Sequence, residues 1–365
     1  NKLVFLVAKQ GNALLIGFWC WLAYAIAQDS TRKNPLDFGV YAEAYYNYDF
    51  GSPEDHLRPP FFYNYSRHNE VNLNLGIFRA TYSTERVRAT LSLMAGTYSQ
   101  YNLANEQPVF KHIYEANAGI KLSKQKQLWL DAGIMPSHIG FESAVGKDCW
   151  NLTRSMLADN SPYYETGLKV GYTTEDQRWY LAGMLLNGWQ RIQRVPGNQT
   201  PAFGSQITWK PSNHQTLNWS TYIGNDAPDS VAQWRIFNNL YGIIQISEVY
   251  SMILGFDFGM QQKIDSKSKW VVWYSPIWIQ RINLHKKWKM ALRTEYYADP
   301  NLVIIPGSLP FLTFGYSFNL DFSPVPNVVL RTEFRGLASE YANFTVKNQN
   351  TSQNYNISSG LAVSF

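Results

Sequence analysis

The sequence predicts an all-β fold: a transmembrane, antiparallel, up-and-down β-barrel of about sixteen strands, with short turns at one end and long loops at the other. Three observations point to it. In Phe311–Phe322, FLTFGYSFNLDF, Leu312, Phe314, Tyr316, Phe318, Leu320 and Phe322 alternate with Thr313, Gly315, Ser317, Asn319 and Asp321. That is a strand period, with one greasy face and one small, polar face. The chain of 365 residues is 16% aromatic and only 16% charged, against about 25% charged in a typical soluble domain. Its mean hydropathy of −0.29 does not fit a helical membrane protein. Finally, Tyr355, Ile357, Ser359, Leu361, Val363 and Phe365 share one face up to a terminal Phe, the pattern of a closing strand in bacterial outer-membrane barrels. A β-sandwich would explain one or two such strands, but not the number and spacing found here.

The first 27 residues are expected to form a cleaved secretory signal. Lys2 and Lys9 precede an uncharged apolar run, Ala13–Ala27, which ends in Ala25-Ile26-Ala27, and the run is too short to span a bilayer. Cleavage would remove two lysines and lower the net charge from +5 to +3, too little to suggest a nucleic-acid partner. It would also remove Cys20, leaving Cys149 without a disulfide partner. Residues 28–365 then form one domain.

Within that domain, segments with a period of two fall at 37–48, 70–82, 86–98, 113–122, 127–135, 163–173, 178–188, 203–210, 215–224, 234–245, 250–262, 269–282, 287–298, 311–322, 327–337 and 355–365. Each is close to the ~9–11 residues of a tilted membrane strand. Short connections (83–86, 123–127, 173–177, 211–215, 284–287, 323–327) alternate with long ones (49–69, 99–112, 136–162, 189–202, 225–233, 299–310, 338–354). This asymmetry places the short turns in the periplasm and the long loops outside. One segment, WVVWYSPIWIQ (270–280), is apolar on both faces and carries Pro276. A closed barrel has no edge to shelter a proline, so a bulge, or a strand facing a packed lumen or a partner, is expected there.

The same alternation sorts the charges. In KMALRTEYY and VLRTEFRG, it puts Arg293 and Glu295, and then Arg331, Glu333 and Arg335, opposite the apolar face. A lipid-facing Arg or Lys near the midplane costs roughly 2–4 kcal/mol, so these ladders belong inside. Glu43, Arg88, Glu115, Lys121, Asp131, Glu165, Lys169 and Asp257 follow the same rule. The candidate lumen and selectivity residues are therefore Glu43, Arg88, Lys121, Asp131, Lys169, Arg293, Glu295, Arg331, Glu333 and Arg335. Their bland alternative is a set of structural inner-wall ion pairs. Aromatics near strand ends, including Tyr45, Trp129, Trp179, Trp189, Trp209, Trp219, Trp270, Trp288 and Tyr297, are expected to form interfacial girdles. Inward Tyr41 and Tyr45 are the weaker candidates for a sugar slide. The third long loop, 136–162, carries Glu142, Lys147, Asp148, Arg154 and Asp159, and is expected either to constrict the lumen or to cap the barrel from outside.

LWLDAGIMPSHIGFES followed by NLTRSMLADNSPYYETGLKVGY resembles the OmpL-like β-barrel porin family of Gram-negative bacteria. The matching elements are Gly133–Met135, Ile139-Gly140-Phe141-Glu142, Thr153-Arg154-Ser155 and Pro162–Gly167, with LLNGWQ, GFDFGMQ and ALRTEYYADP further on. The resemblance runs from about residue 36 to the end. It implies an outer-membrane porin-like barrel and no particular substrate.

The expected function is passive diffusion of small hydrophilic solutes or ions through a charged, water-filled lumen. A plugged barrel serving a secretion or surface complex is the alternative. An outer-membrane hydrolase is weakly supported: His56, His68, His112, His138, His214 and His285 lie in loops or turns, and none accompanies a nucleophile-elbow motif. No cofactor or metal motif is evident. The expected partners are outer-membrane lipid, the barrel-assembly machinery through Phe365, small hydrophilic solutes, and a homo-oligomer or an outer-membrane complex.

Overall fold

The computed structural model describes residues 34–365. The expected signal segment lies outside the described residues. In chain order the first eight strands are β1 (Leu36–Asp49), β2 (Val71–Ser83), β3 (Val87–Ala95), β4 (Ile113–Lys121), β5 (Gln127–Pro136), β6 (Tyr164–Thr173), β7 (Trp179–Leu186) and β8 (Ala202–Ser212). The next seven are β9 (Gln215–Asn225), β10 (Trp234–Gln245), β11 (Tyr250–Lys263), β12 (Ser266–His285), β13 (Trp288–Asp299), β14 (Phe311–Phe322) and β15 (Val328–Ser339). After a small hairpin, β16 (Phe344–Val346) and β17 (Gln349–Thr351), β18 (Gln353–Ser364) completes the set. β1–β15 and β18 form a closed antiparallel barrel of sixteen strands, each paired with its sequence neighbours. β18 closes on β1 with Tyr41 opposite Ser364, and Val40 and Phe365 exchange two backbone hydrogen bonds of 2.7 and 3.0 Å.

The alternation of FLTFGYSFNLDF becomes two environments. Phe314, Tyr316 and Phe318 are exposed on the outer face, whereas Thr313, Ser317 and Asn319 are buried inside. The same inversion runs around the wall: Leu168, Trp219, Leu240, Leu254, Trp278, Leu330 and Leu361 all face outward. In water this would be an exposed apolar belt, and its only stable solvent is lipid.

Three local features differ from the sequence pattern. The third strand, expected to reach residue 98, stops at Ala95. Gly96 adopts φ +129°, where a Cβ would strike the Asn74 carbonyl, and the chain turns into a short helix α1 (Thr97–Asn102). The loop 338–354 contains the β16–β17 hairpin. The strands β11 and β12 meet in a tight turn on the long-loop side, so the wall itself extends there instead of a loop.

No bulge occurs at Pro276. Tyr274 faces Ala298 and Ile277 faces Glu295 in one unbroken register. Pro276 sits on the outer face and has no N–H to offer to the Tyr296 carbonyl beside it. The Ser275 hydroxyl donates to that carbonyl instead, at 2.8 Å. The inner residues of β12 are apolar because they face packed protein: Ile277 and Ile279 cluster with Ile253 of β11 and with Leu157, Phe141 and Trp150 of the third loop.

Candidate functional site

The third loop, between β5 and β6, folds into the barrel. Its central stretch Asn151–Ser155 is buried, with Asn151, Leu152, Arg154 and Ser155 fully so. The inner ladders of β13 and β15 hold it. The Glu333 carboxylate accepts the Thr153 backbone N–H at 2.6 Å and the Arg293 guanidinium at 2.9 Å. Arg293 also donates to the Thr153 carbonyl at 2.7 Å. One register step toward the long loops, Glu295 accepts the Met156 N–H and the Arg335 guanidinium, both at 2.6 Å. Arg335 in turn donates to the Arg154 carbonyl at 2.8 Å. The side chains of all four latch residues are fully buried. Arg331 is held by Asp321 and donates to the carbonyls of Gly146, Cys149 and Trp150. On β14, Asn319 accepts the Leu152 N–H at 2.9 Å and Ser317 accepts from Asn151 at 3.1 Å. A charge removed from water is tolerated when such bonds use its hydrogen-bonding capacity.

Within the loop, Glu142 accepts the Ser155 N–H at 3.1 Å and also its hydroxyl. Ser155 caps the single turn α2 (Met156–Asp159) by accepting from the Ala158 N–H at 3.1 Å. Arg154 points back into the loop and donates to the carbonyls of Ser143, Leu152 and Ala144. It is therefore an internal brace of the loop. Gly146 passes so close to the Glu43 carboxylate that any Cβ there would strike it. Lys147 and Asp148 are exposed, and Lys147 donates to Ser364 at 2.9 Å. Buried among these groups, the Cys149 thiol is pushed up to about 11 by desolvation.

The loop's root is fixed to the opposite wall. His138 places Nδ1 2.8 Å from the Glu165 carboxylate and Nε2 2.8 Å from the Thr221 carbonyl. A carboxylate and a carbonyl both accept, so this geometry suits a ring that donates from both nitrogens, the imidazolium form. Burial opposes that charge, but the Glu165 carboxylate and the Thr221 carbonyl outweigh it and raise the pKa. The Gly140 N–H donates to Asn239 of β10 at 3.1 Å, and Asn239 donates in turn to Asp257 at 2.6 Å. The loop thus meets β6, β9 and β10 at its root and β13–β15 along its length.

The first long loop lies over the third. Asn64 donates to Asp159 at 2.8 Å, and Tyr163 donates to the same oxygen at 3.0 Å. Burial pushes the Asp159 carboxyl up to about 6, although these two bonds and nearby arginines pull it down. Arg58 donates to Asn356 at 2.8 Å and lies over the Phe62 ring at 4.2 Å. Phe61, Phe62, Ile305 and Phe344 from three long loops pack with Phe237, Trp273, Tyr297 and Phe311 of the wall. No sequence signal marked the first loop as part of the site.

Toward the short-turn end the inner wall is wetter. Arg88 forks onto Asp131 at 2.7 and 2.6 Å and lies 4.3 Å over the Trp129 ring. Arg79 pairs with Glu115 at 3.1 Å. Lys121 is buried, and Lys169 is half-buried opposite Asp131. The expected inner residues therefore divide. Arg293, Glu295, Arg331, Glu333, Arg335 and Glu43 meet the third loop, while Arg88, Asp131, Lys121 and Lys169 lie on the wet wall.

Several aromatics expected in the girdles face inward. Trp129 carries Arg88, Tyr297 is buried in the apolar roof, and Trp189 packs on Tyr222 and Phe237. Tyr45 is buried edge-on against Tyr65, so it is neither a girdle residue nor a free stacking surface. Burial likewise removes Tyr41 as a sugar-stacking surface. Trp179, Trp209, Trp219, Trp270 and Trp288 do face outward. Asp55 and His56 are held by a turn: Asp55 accepts the Leu57 N–H, and His56 Nδ1 lies 3.0 Å from the His68 carbonyl.

Comparison with solved structures finds the same fold at low identity. The outer membrane channel DcaP of Acinetobacter baumannii superposes with a TM-score of 0.60 at 10% identity, covering 90% of this chain and 97% of that one. The anion-selective porin from Comamonas acidovorans gives 0.59 at 7% identity, covering 90% and 99%. OprB of Pseudomonas putida gives 0.58 at 9% identity, covering 91% and 94%. No curated protein sequence matches. A family model described as "Putative beta-barrel porin-2, OmpL-like" matches residues 35–365, the barrel with its inward-folded loop, and the chain belongs to that family.

Proposed function

We propose that this outer-membrane porin-like barrel allows passive diffusion of small hydrophilic solutes or ions, with the third loop as its constriction and movable gate. The reading is supported chiefly by the division of the inner wall. A solvent-exposed, charged half adjoins a half in which a loop is held by polar and ionic bonds. A packed core would need neither. No catalytic role is assigned to Asp55-His56, because its groups serve a turn. Export by a signal within residues 1–27, recognition of Phe365 by the assembly machinery, and assembly into a homo-oligomer in outer-membrane lipid complete the proposal.

The full burial of the latch favours a second reading, a plugged barrel that serves a surface complex. Planar-bilayer recording of the purified protein separates the two. Conductance proportional to salt supports the channel. Silence of both the wild type and Leu157→Ala, which loosens the loop without changing charge, supports the plug.

A further inference from the structure

We propose that the wet half of the lumen is an anion filter, so that the solutes passed are small anions such as chloride, carboxylates and phosphate. This rests on the channel reading and deepens it. The residues that form the filter are not the Arg/Glu ladders of β13 and β15, whose charges are spent on the loop backbone. They lie on the β2–β6 wall.

Two ion pairs there share one orientation. In Arg79–Glu115 the arginine side chain is 44% exposed and the glutamate 12%. In Arg88–Asp131 the values are 41% and 5%. In each pair the guanidinium faces the water and the carboxylate lies behind it, so even the neutral pairs present positive charge to a passing solute. Arg88 is held in place by its fork onto Asp131 and by the Trp129 ring beneath it. Fixed donors in a low-dielectric wall attract an anion more strongly than mobile ones.

Two lysines add to this. Half-buried Lys169 and buried Lys121 lie on the same inner face, and among the described residues neither forms an ion pair. The opposite wall is also positive: Asp321 is engaged by Arg331 and Asn319, while Lys289 on the inner face of β13 is exposed. At the loop's exposed tip Lys147 and Asp148 offset each other. At about 0.1 M salt the screening length is roughly 10 Å, so charges on both walls act together on an ion between them.

The test is the reversal potential of the purified protein in a planar bilayer across a tenfold KCl gradient. The expected result is a chloride-to-potassium permeability ratio above one. In Arg79→Glu/Lys169→Glu the ratio should fall several-fold and cross to cation preference. Arg79→Gln/Lys169→Gln should shift it less in the same direction, which keeps the test valid if the reversal variant fails to fold. Wild-type channels that prefer potassium, or a ratio that neither pair changes, would overturn the filter and leave the channel standing. If the wild type is silent, the ratio is read in the Leu157→Ala background with the same criteria. Silence there as well would remove the channel and the filter together.

Discussion

Individual residues decide whether the third loop stays seated. Glu333 bonds the Thr153 N–H and Arg293 in a fully buried site. Glu333→Gln keeps the shape but leaves two guanidinium groups sharing the Glu295 carboxylate. Breaking a buried pair in this way costs about 3–5 kcal/mol. The loop should then open, and because Cys149 is buried in it, maleimide labelling in a Cys20→Ser background should change from negligible to complete. Absence of labelling in the variant would show that the latch is dispensable. Asp159 gives the loop a pH response. Its carboxyl holds a proton up to about 6 when folded, against 3.8 for the free side chain. Ionisation therefore works against the packed state. Its contribution weakens as pH rises from about 4 through 6 and recovers as pH falls. Between pH 7.5 and 5 the contact of the first and third loops should tighten by about 1 kcal/mol. Amide-exchange protection of residues 151–160 should report it, and Asp159→Asn should abolish the difference.

At the scale of elements, the sequence displayed the wall far better than its filling. Period-two patterning located all sixteen barrel strands because each side faces one solvent along its whole length. It placed Arg293, Glu295, Arg331, Glu333 and Arg335 inside for the same reason. It could not show that these charges meet loop backbone instead of water, since loops carry no periodicity. Trp129 and Tyr297 were misplaced because an aromatic near a strand end suits either face. The greasy inner side of β12 was a legible clue: Trp273, Ile277 and Ile279 make sense only opposite packed protein. Leu157 is 1% exposed in that contact. Leu157→Ala should cost about 2–5 kcal/mol of local packing and raise trypsin cleavage after Lys147 and Arg154 while the barrel stays closed. Simultaneous loss of the barrel would show that the loop does not move independently of the wall.

For the whole molecule, stability depends on the sorting of the two faces and on closure. Phe318 lies outward in mid-strand, and Thr90 faces inward near Arg88. Phe318→Arg should lose roughly 2–4 kcal/mol in lipid and refold poorly into vesicles, whereas Thr90→Arg should refold nearly as wild type. Equal yields would contradict the assigned orientation. Closure has a further consequence for biogenesis. The first strand, β1, has one neighbour in β2, and its other neighbour, β18, is made hundreds of residues later. Until Phe365 is synthesised and reaches Val40, one edge of the growing sheet must stay open. Strand-by-strand completion during translation cannot occur. The barrel therefore seals in one late step, when β18 meets β1.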